Sequence, residues 1–460
     1  MSYQKFLESK MDTNISSGFD IPLDYIHDNL FDFQKAIVKW ALNRGRAAIF
    51  AGTGLGKTAI QCEWARQIFI ETHQSILIVA PLAVAQQTTK EAKKLIDLNI
   101  GYIRSGDEAI FPGIYITNYE MLDKFDMDDF GGVVLDESSI LKHQQGKVRT
   151  QIIESCANVP YKLSCTATPA PNDYMELGSQ CEFLGIMSAI EMMAMFFVHD
   201  GGEVSKWRLK GHAKYKFWEW LSTWSVFIQS PSDLGFDGSR YELPELNIIE
   251  HKIDTNIVDD GLFVTPARDL SERRKASRIT LEQRCNLATN IVNNSADNFL
   301  IWCYLNDESD LLNKNIMLSE QVKGSDKIDK KESVLNGFSK GEIANLITKP
   351  SIAGFGMNWQ HINNMVFVGL NDSWEAFYQA IRRCYRFGQT KPVNVHIITT
   401  DLESSIYNNI KRKEDQAKTM MSEMAKYMAQ FTIKEMGSDK KEHKSSYNPA
   451  QQIKLPGWIL

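Results

Sequence analysis

A glycine-rich loop at residues 51–58 constrains the fold of this chain more than any other segment. It runs Ala-Gly-Thr-Gly-Leu-Gly-Lys-Thr, follows a short apolar run at 47–50 and precedes a stretch with helical spacing at 58–69. Glycines let backbone N–H groups curl around phosphates, and the N-terminus of the following helix adds its positive end. The strict phosphate-loop pattern starts with glycine, where this chain has Ala51. Because strand, loop and helix are all in place, we predict that this loop binds the phosphates of a nucleotide.

Individual roles within the loop follow from its chemistry. We expect Lys57 to reach the β- and γ-phosphates of ATP, and Thr58 to ligate Mg²⁺. Backbone groups of the remaining loop residues would surround the phosphates. The predicted nucleotide-binding residues of the loop are Gly52, Thr53, Gly54, Leu55, Gly56, Lys57 and Thr58.

Two carboxylates end a later apolar strand, Val-Val-Leu-Asp-Glu at 133–137. Asp136 is predicted to hold Mg²⁺ through water, and Glu137 to activate the attacking water. An Asp-Glu pair after a strand is by itself usually a solvated turn. Its place downstream of a phosphate loop, in the same domain, favours the catalytic interpretation.

The second half of the chain carries a basic segment at 379–389. On a helix, Gln379, Arg383 and Arg386 would share one face, which for an isolated helix is ordinarily solvated. The functional interpretation is that Arg383 and Arg386 reach the γ-phosphate bound by the first half and neutralise charge in the transition state.

Two weaker segments permit more than one interpretation. Thr166 and Thr168, in Thr-Ala-Thr-Pro at 166–169, would hydrogen-bond to the carboxylates or to the partner domain, or they would simply end a strand before a proline stop. The glycines of residues 354–358 would bring the backbone close to a nucleic-acid phosphate or to the ATP cleft, and Gly356 is assigned to the nucleotide site.

Apolar runs alternate with amphipathic stretches in two blocks, which is typical of parallel sheets covered by helices. The strands of the first block are predicted at 47–50, 76–79, 114–117, 133–135 and 161–165, and those of the second at 299–303, 344–348, 365–368 and 393–398. We predict an N-terminal arm at 1–30, a first domain at 31–240, a second domain at 241–405, and a C-terminal helix with a polar tail at 406–460. A Trp-rich helical insertion is expected at about 186–236.

Composition excludes little. The 51 basic and 57 acidic residues give a net charge of -6, so only a local basic groove would serve nucleic-acid binding. None of the seven cysteines forms a Cys-x-x-Cys pair, and we expect reduced core residues. The chain shows neither a signal segment nor a membrane-spanning apolar run, which predicts an intracellular, cytoplasmic protein without membrane partners.

Taken in order, these motifs resemble those of superfamily-two helicases, and of their Swi/Snf-like group of DNA translocases in particular. Phe33-Gln34 is similar to the adenine-recognising element, so Gln34 joins the nucleotide site. Ala80-Pro81 and residues 117–120 are similar to nucleic-acid-contacting motifs, and the closing Arg-Phe-Gly-Gln at 386–389 favours the Swi/Snf branch. The match runs from about residue 31 to 401. It implies two RecA-like domains, with ATP and Mg²⁺ bound in the cleft between them.

Three positions depart from this family pattern. Ser139 replaces the usual histidine, Arg382 a common glycine, and Thr88 a frequent tryptophan. The resemblance is to compact versions found in phages and bacteria, acting in a bacterial or phage-infected host cell.

The function implied is a nucleic-acid-stimulated ATPase that moves along DNA, with duplex DNA favoured over single-stranded DNA or RNA. A strand-separating helicase and a non-hydrolysing nucleic-acid-binding scaffold remain alternatives. A separate nuclease, methyltransferase or replication partner is a further open option.

Basic residues also alternate through 206–216, with Trp207 and Tyr215 interleaved. They would contact a phosphate backbone, or merely solvate the approach to a buried stripe of Phe217, Trp218, Leu221 and Trp224. A second cluster, Arg273, Arg274, Lys275 and Arg278, is interpreted as a solvated helix face.

Overall fold

The fold was analysed in a computed structural model of the chain. The structure describes residues 17–142, 146–171, 173–199, 207–254, 278–353, 357–371, 373–400 and 404–437. Two parallel β-sheets, each with its own hydrophobic core, organise these residues. The predicted α/β class with two domains is therefore confirmed.

The first sheet has seven strands in the order β3-β4-β2-β5-β6-β1-β9, and every neighbouring pair is parallel. Its central strands are apolar and buried on both faces, because helices cover the sheet on either side. The strands are β1 (Arg46–Ala51), β2 (Ile76–Ala80), β3 (Gly101–Tyr102), β4 (Ile114–Asn118), β5 (Gly132–Asp136), β6 (Tyr161–Thr166) and β9 (Ser225–Ile228).

Among the described residues, seven α-helices belong to this half. The residues that face the sheet recur with helical spacing, such as Ile60, Trp64 and Ile68, all fully buried. The helices are α1 (Asp32–Arg44), α2 (Lys57–Thr72), α3 (Leu82–Ile96), α4 (Lys147–Ser155), α5 (Leu177–Leu184), α6 (Ala189–Phe196) and α7 (Lys214–Ser222).

The Trp-rich stretch is more than the helical insertion expected at about 186–236. It contains α6, a short antiparallel pair formed by β7 (Phe197–His199) and β8 (Trp207–Leu209), and α7. It also supplies β9, which pairs with β1 at the edge of the first sheet. The run Ser-Val-Phe-Ile at 225–228 is too short for its periodicity to distinguish strand from helix, and only pairing with β1 decides it.

The second sheet has six parallel strands in the order β10-β15-β14-β11-β13-β12. The four predicted strands are present, and β10 and β12 were missed because half-exposed edge strands lack an apolar run. The strands are β10 (Leu246–Ile253), β11 (Phe299–Trp302), β12 (Ser319–Gln321), β13 (Asn345–Thr348), β14 (Asn364–Phe367) and β15 (Val393–Thr400). The helices are α8 (Leu281–Asn293), α9 (Asn306–Asn315), α10 (Ile328–Ser339), α11 (Pro350–Ala353) and α12 (Trp374–Ile381).

The last helix, α13 (Ser404–Gly437), joins the two cores. Its first turns place Ile406 and Ile410 in the core of the second domain. Further along, Met424 and Met428 are buried in the core of the first domain, where α13 packs on α7 and β9. The ring of Tyr427 stacks on Trp218, with 6.0 Å between the ring centroids. A single helix therefore ties the second domain back to the first. No helix of the described residues combines the length and the apolar character that crossing a bilayer requires.

Met428→Ala tests this attachment. Met428 is fully buried, so we expect the truncation to leave a cavity and to lower the free energy of unfolding by about 2 to 5 kcal/mol. Ile433→Ala, at a position 45% exposed on the same helix, should change it by less than about 0.5 kcal/mol. Urea denaturation followed by tryptophan fluorescence measures both. Equal effects of the two substitutions would show that α13 does not pack on the first domain.

Candidate functional site

A cleft between the two domains collects most of the predicted site residues. In parallel sheets the carboxyl ends of the strands meet at one edge, and here the loops that follow β1 and β5 open into the same cleft. The second domain closes the opposite wall. The cleft is lined by Thr53, Gly54, Gly56, Lys57, Thr58, Ala59, Val84, Gln87, Thr88, Glu91, Leu95, Asp136, Glu137, Asn358, Arg383 and Arg386.

The glycine-rich loop has the backbone that a phosphate cradle needs. Gly54 and Gly56 adopt φ angles of 92° and 80°, in the left-handed region that favours glycine. A Cβ atom at Gly56 would also lie 2.2 Å from the side-chain nitrogen of Gln34, and one at Gly54 would lie 2.9 Å from the backbone nitrogen of Phe387. A side chain at either position would therefore be strained. Gln34 holds the loop by donating to the carbonyl of Leu55 at 2.9 Å.

Lys57 and Thr58 begin α2 directly after the loop, so the free backbone N–H groups of the helix N-terminus face the cleft. The ammonium of Lys57 donates to the carbonyl of Ala51 at 3.0 Å and lies over the loop. The hydroxyl of Thr53 is buried and lacks a hydrogen-bond partner among the described residues. This part of the cleft is prepared for an anionic ligand.

Asp136 and Glu137 end β5 opposite the loop. The carboxylate of Asp136 is buried and accepts from the backbone N–H of Glu137 at 3.1 Å. Glu137 has a φ of 54°, a conformation that costs a non-glycine residue about 1 to 2 kcal/mol. One of its carboxylate oxygens is buried without a partner among the described residues. A strained backbone and an unpaired carboxylate at the end of a buried strand indicate a group held ready for a ligand.

Burial and the neighbouring charge of Glu137 raise the pKa of Asp136 to about 6, although Gln61 and Lys57 act in the opposite direction. The hydroxyl of Tyr119, after β4, donates to the backbone carbonyl of Asp136 at 2.7 Å and fixes the strand end. A carboxylate that is costly to ionise is suited to a cation, because bound Mg²⁺ would stabilise its ionised form.

Asp136→Asn should raise the free energy of unfolding at pH 8. Because the folded pKa of about 6 lies above the ordinary value of 3.8, ionised Asp136 destabilises the fold above about pH 6, and the penalty is lost as the pH falls through 3.8. At about 1.4 kcal/mol per pKa unit, the gain is at most about 3 kcal/mol at pH 8 and about half of that at pH 5. Urea denaturation of parent and variant at several pH values measures it. A gain independent of pH would contradict the assignment.

Thr168 makes a contact between the domains, one of the two interpretations left open by the sequence. Its hydroxyl donates to a carboxylate oxygen of Glu375 on α12 at 3.2 Å, and its backbone N–H donates to the hydroxyl of Thr166 at 3.1 Å. The other oxygen of Glu375 pairs with Lys142, which follows the Asp136–Glu137 segment. The strand ends of the first domain are thereby linked to the helix that leads to the arginines.

Arg383 and Arg386 reach the cleft from the second domain, although not from a helix face as predicted. Helix α12 ends at Ile381, and tight turns carry both residues. These turns are pinned where the backbone N–H of Trp359 donates to the carbonyl of Arg383 at 2.8 Å. Tertiary contacts therefore override the helical spacing of the sequence.

Each arginine is held by neighbours of its own domain. Arg383 is 3% exposed, and its guanidinium donates to both oxygens of Gln379 and to the carbonyl of Met357. Burial and the charge of Arg386 lower the pKa of Arg383 to about 10, while Glu137 of the first domain acts to raise it. Arg386 donates to the side-chain oxygen of Asn358.

Gln389, the last residue of the Arg-Phe-Gly-Gln motif, is a structural residue. Its side-chain nitrogen donates to the carbonyls of Ile362 and Cys384 at 2.9 and 3.3 Å, and its oxygen accepts from the backbone of the following residues. The motif therefore sets the loop from which Arg386 projects. Arg382, which replaces a common glycine, lies over the rings of Tyr378 and Tyr385.

Several side chains of the cleft and of the domain contacts had no role predicted from the sequence, among them Glu91, Lys142, Asn358 and Glu375. Glu91 had one available signal. Helix α3 starts just after the carboxyl end of β2, so one of its faces lies along the cleft. Gln87 and Glu91 are one helical turn apart on that face. The other three depend on how the two domains meet, which local sequence does not encode.

The alternating basic segment near 206–216 proves to be part of the packing. Lys210 donates to two backbone carbonyls at the end of α6, Lys214 pairs with Glu423 of α13 at 2.6 Å, and Lys216 pairs with Glu219. The stripe of Phe217, Trp218, Leu221 and Trp224 is fully buried. Of the two interpretations left open, the buried stripe is confirmed.

Some predicted residues lie outside the described parts of the chain. These are Gly354 and Gly356 of the glycine segment, Lys206, and Arg273, Arg274 and Lys275 of the second basic cluster. All seven cysteines are described, and each is buried and free, as expected. Among the described residues, no group of three or more His, Cys, Asp or Glu side chains is arranged to hold a metal ion. A cation in the cleft would therefore share its ligands between Asp136, Thr58 and a bound nucleotide.

Both sheets have the parallel, helix-covered architecture of RecA-like domains, and the cleft lies between them. The family described as DEAD/DEAH box helicase matches residues 31–177, and the family described as helicase conserved C-terminal domain matches residues 282–388. Helicase domains of these two families imply an ATP-hydrolysing enzyme. Such ATPase domains generally use ATP with Mg²⁺.

Two further comparisons concern curated protein sequences and solved structures. No curated protein sequence matches the chain. One similar solved structure is the SWI2/SNF2 ATPase core of Sulfolobus solfataricus in complex with dsDNA, with 18% sequence identity and a TM-score of 0.40, covering 89% of this chain and 97% of that one.

Proposed function

We propose that this protein is a Swi/Snf-like translocase that moves along duplex DNA and takes its energy from ATP hydrolysis in the interdomain cleft. The observation that carries the proposal is the convergence of Lys57, Asp136 and Glu137 of the first domain with Arg383 and Arg386 of the second in one cleft. A site divided between two domains makes hydrolysis depend on how the domains are arranged, which is the requirement for a motor.

The first domain would bind the nucleotide. Backbone N–H groups of residues 52–58 and the ammonium of Lys57 would surround the phosphates, and Gln34, which donates to the carbonyl of Leu55 in the loop, would contact the base. Thr58 and Asp136 would hold Mg²⁺, which would offset the negative charge of the phosphates when bound. The strained carboxylate of Glu137 would orient and deprotonate the attacking water.

The second domain would complete the site. Arg383 and Arg386 would stabilise the negative charge that develops on the transferred phosphate, a contribution worth roughly 10³- to 10⁵-fold in related hydrolases. The contact of Glu375 with Thr168 and Lys142 would couple this step to the first domain. Domain closure and hydrolysis are in this way joined.

Nucleic acid is proposed to lie across the edge that carries the strand ends of both domains. Residues 81–82 after β2 and 117–120 around the end of β4 stand there, and Leu82 is 60% exposed. The Arg-Phe-Gly-Gln sequence at 386–389 resembles the Swi/Snf-like group, which favours duplex DNA as the track. Placement in a bacterial or phage-infected host cell, and partnership with a separate nuclease, methyltransferase or replication protein, belong to the same proposal.

Steady-state ATP hydrolysis tests the proposal with no nucleic acid, with duplex DNA, with single-stranded DNA and with RNA. We expect duplex DNA to stimulate hydrolysis most strongly. Lys57→Ala should reduce the stimulated rate by at least about 100-fold, because the phosphates lose their main cation. Lys340→Ala, at an exposed lysine remote from the cleft, serves as the matched control and should leave the rate unchanged.

Other outcomes would reassign the function. Stimulation only by single strands or RNA would indicate a strand-separating helicase. No hydrolysis under any of these conditions would contradict the enzymatic proposal and leave a nucleic-acid-binding scaffold. If duplex DNA does stimulate hydrolysis, a triplex-displacement assay on duplex DNA separates translocation from DNA-dependent hydrolysis without movement.

A further inference from the structure

Glu91 is an unexplained carboxylate on the wall of the nucleotide cleft. It lies on α3 of the first domain, away from the strand end that carries Asp136 and Glu137. An acidic side chain beside a triphosphate opposes its binding, since the nucleotide remains negative even with Mg²⁺. Neither the phosphate loop nor the carboxylate pair requires an acid at this place, so its presence calls for another role.

The contacts of Glu91 cross the cleft. One of its oxygens accepts from the side-chain nitrogen of Gln87 at 2.6 Å and from the side-chain nitrogen of Asn358 at 2.9 Å. Asn358 belongs to the second domain, and its side-chain oxygen accepts from the guanidinium of Arg386. A continuous chain of hydrogen bonds therefore runs from α3 through Asn358 to the arginine predicted to contact the γ-phosphate.

The negative charge of Glu91 also favours the position of Arg386 that these hydrogen bonds hold. Arg386 is partly buried, and burial lowers its pKa, whereas the charge of Glu91 acts to raise it. Among the residues that line the cleft, the acids Glu91, Asp136 and Glu137 face the bases Lys57, Arg383 and Arg386. An incoming triphosphate competes with these acids for the arginines.

We propose that Glu91 is a positioning residue that holds Arg386 in a resting position through Asn358, and that the γ-phosphate of an entering nucleotide replaces Asn358 as the partner of Arg386. The two domains then keep the same relative position while the site is empty. Only a ligand with a third phosphate releases Arg386 from Asn358. Glu91 in this way makes the cleft distinguish a triphosphate from a diphosphate. The inference rests on the proposed role of Arg386.

Glu91→Gln tests it, because glutamine keeps the size and one accepting oxygen of glutamate, removes the negative charge and replaces the second oxygen by an NH2 group. The probes are a fluorescently labelled, non-hydrolysable ATP analogue and equally labelled ADP, titrated with Mg²⁺ into the full chain without nucleic acid. We expect affinity for the ATP analogue to rise on the order of 10-fold, while affinity for ADP changes less than about 2-fold. KM for ATP should fall accordingly.

Two companion variants make the result specific. Glu332→Gln alters another hydrogen bond between the domains, from Gln86 of the same helix to Glu332 at 2.8 Å, outside the cleft lining, and should change neither affinity. In an Arg386→Ala background, the gain from Glu91→Gln should disappear, because the competition for the arginine no longer exists.

Several results would overturn the inference: unchanged or weaker binding of the ATP analogue by Glu91→Gln, an equal gain for ADP, or a gain that survives in the Arg386→Ala background. None of these readouts involves DNA. If the binding results contradict the role of Glu91 while DNA still stimulates hydrolysis, the proposed translocase function is unaffected. If DNA does not stimulate hydrolysis, the binding results alone still decide the role of Glu91.

Discussion

Charge balance across the cleft is the constraint on which the rest of this structure depends. Asp136 and Glu137 lie at the buried end of β5, and the arginines that face them, Arg383 and Arg386, belong to the other domain. Buried charges without partners are costly, so each domain alone would leave its half of the site poorly compensated. The two sheets are therefore coupled by electrostatics as well as by the α13 helix, which is anchored in both cores. Movement of one domain against the other must change the environment of the catalytic groups.

The cleft also stores several locally unfavourable features. Glu137 has a left-handed backbone, burial and Glu137 raise the pKa of Asp136, and the hydroxyl of Thr53 lacks a partner among the described residues. A core under no functional constraint would replace such groups by apolar ones. Their retention is consistent with a site whose phosphates and cation satisfy them, so that stability is given up in the empty state and recovered on binding. The surrounding strands are buried on both faces, and they hold these groups in place.

Much of the fold and of the first half-site could be predicted because the signals are local. The loop at 51–58 combines its glycines, lysine and threonine within eight residues, and the strand ending in Asp136 and Glu137 is a continuous apolar run. Elements without such a pattern were missed or misjudged. The strand β9 is short, β10 is half exposed, and the turns that carry Arg383 and Arg386 replace an expected helix because Trp359 binds the backbone there. In the sequence the lysines near 210 resemble a strip that binds phosphates. The structure shows that their partners are backbone carbonyls and carboxylates of the chain itself.

The sequence by itself determined the two α/β blocks and the glycine-rich loop, and it predicted the carboxylates and arginines of the site, since periodicity and residue chemistry are properties of neighbouring positions. Only the tertiary structure decided which groups meet across the cleft. The hydrogen bonds from Glu91 through Asn358 to Arg386 join positions nearly 300 residues apart in the sequence. The hydrogen bond between Thr168 and Glu375 joins positions more than 200 residues apart. Such contacts depend on the packing of whole domains, which is set by the summed burial of two cores and one shared helix, and no short segment records it.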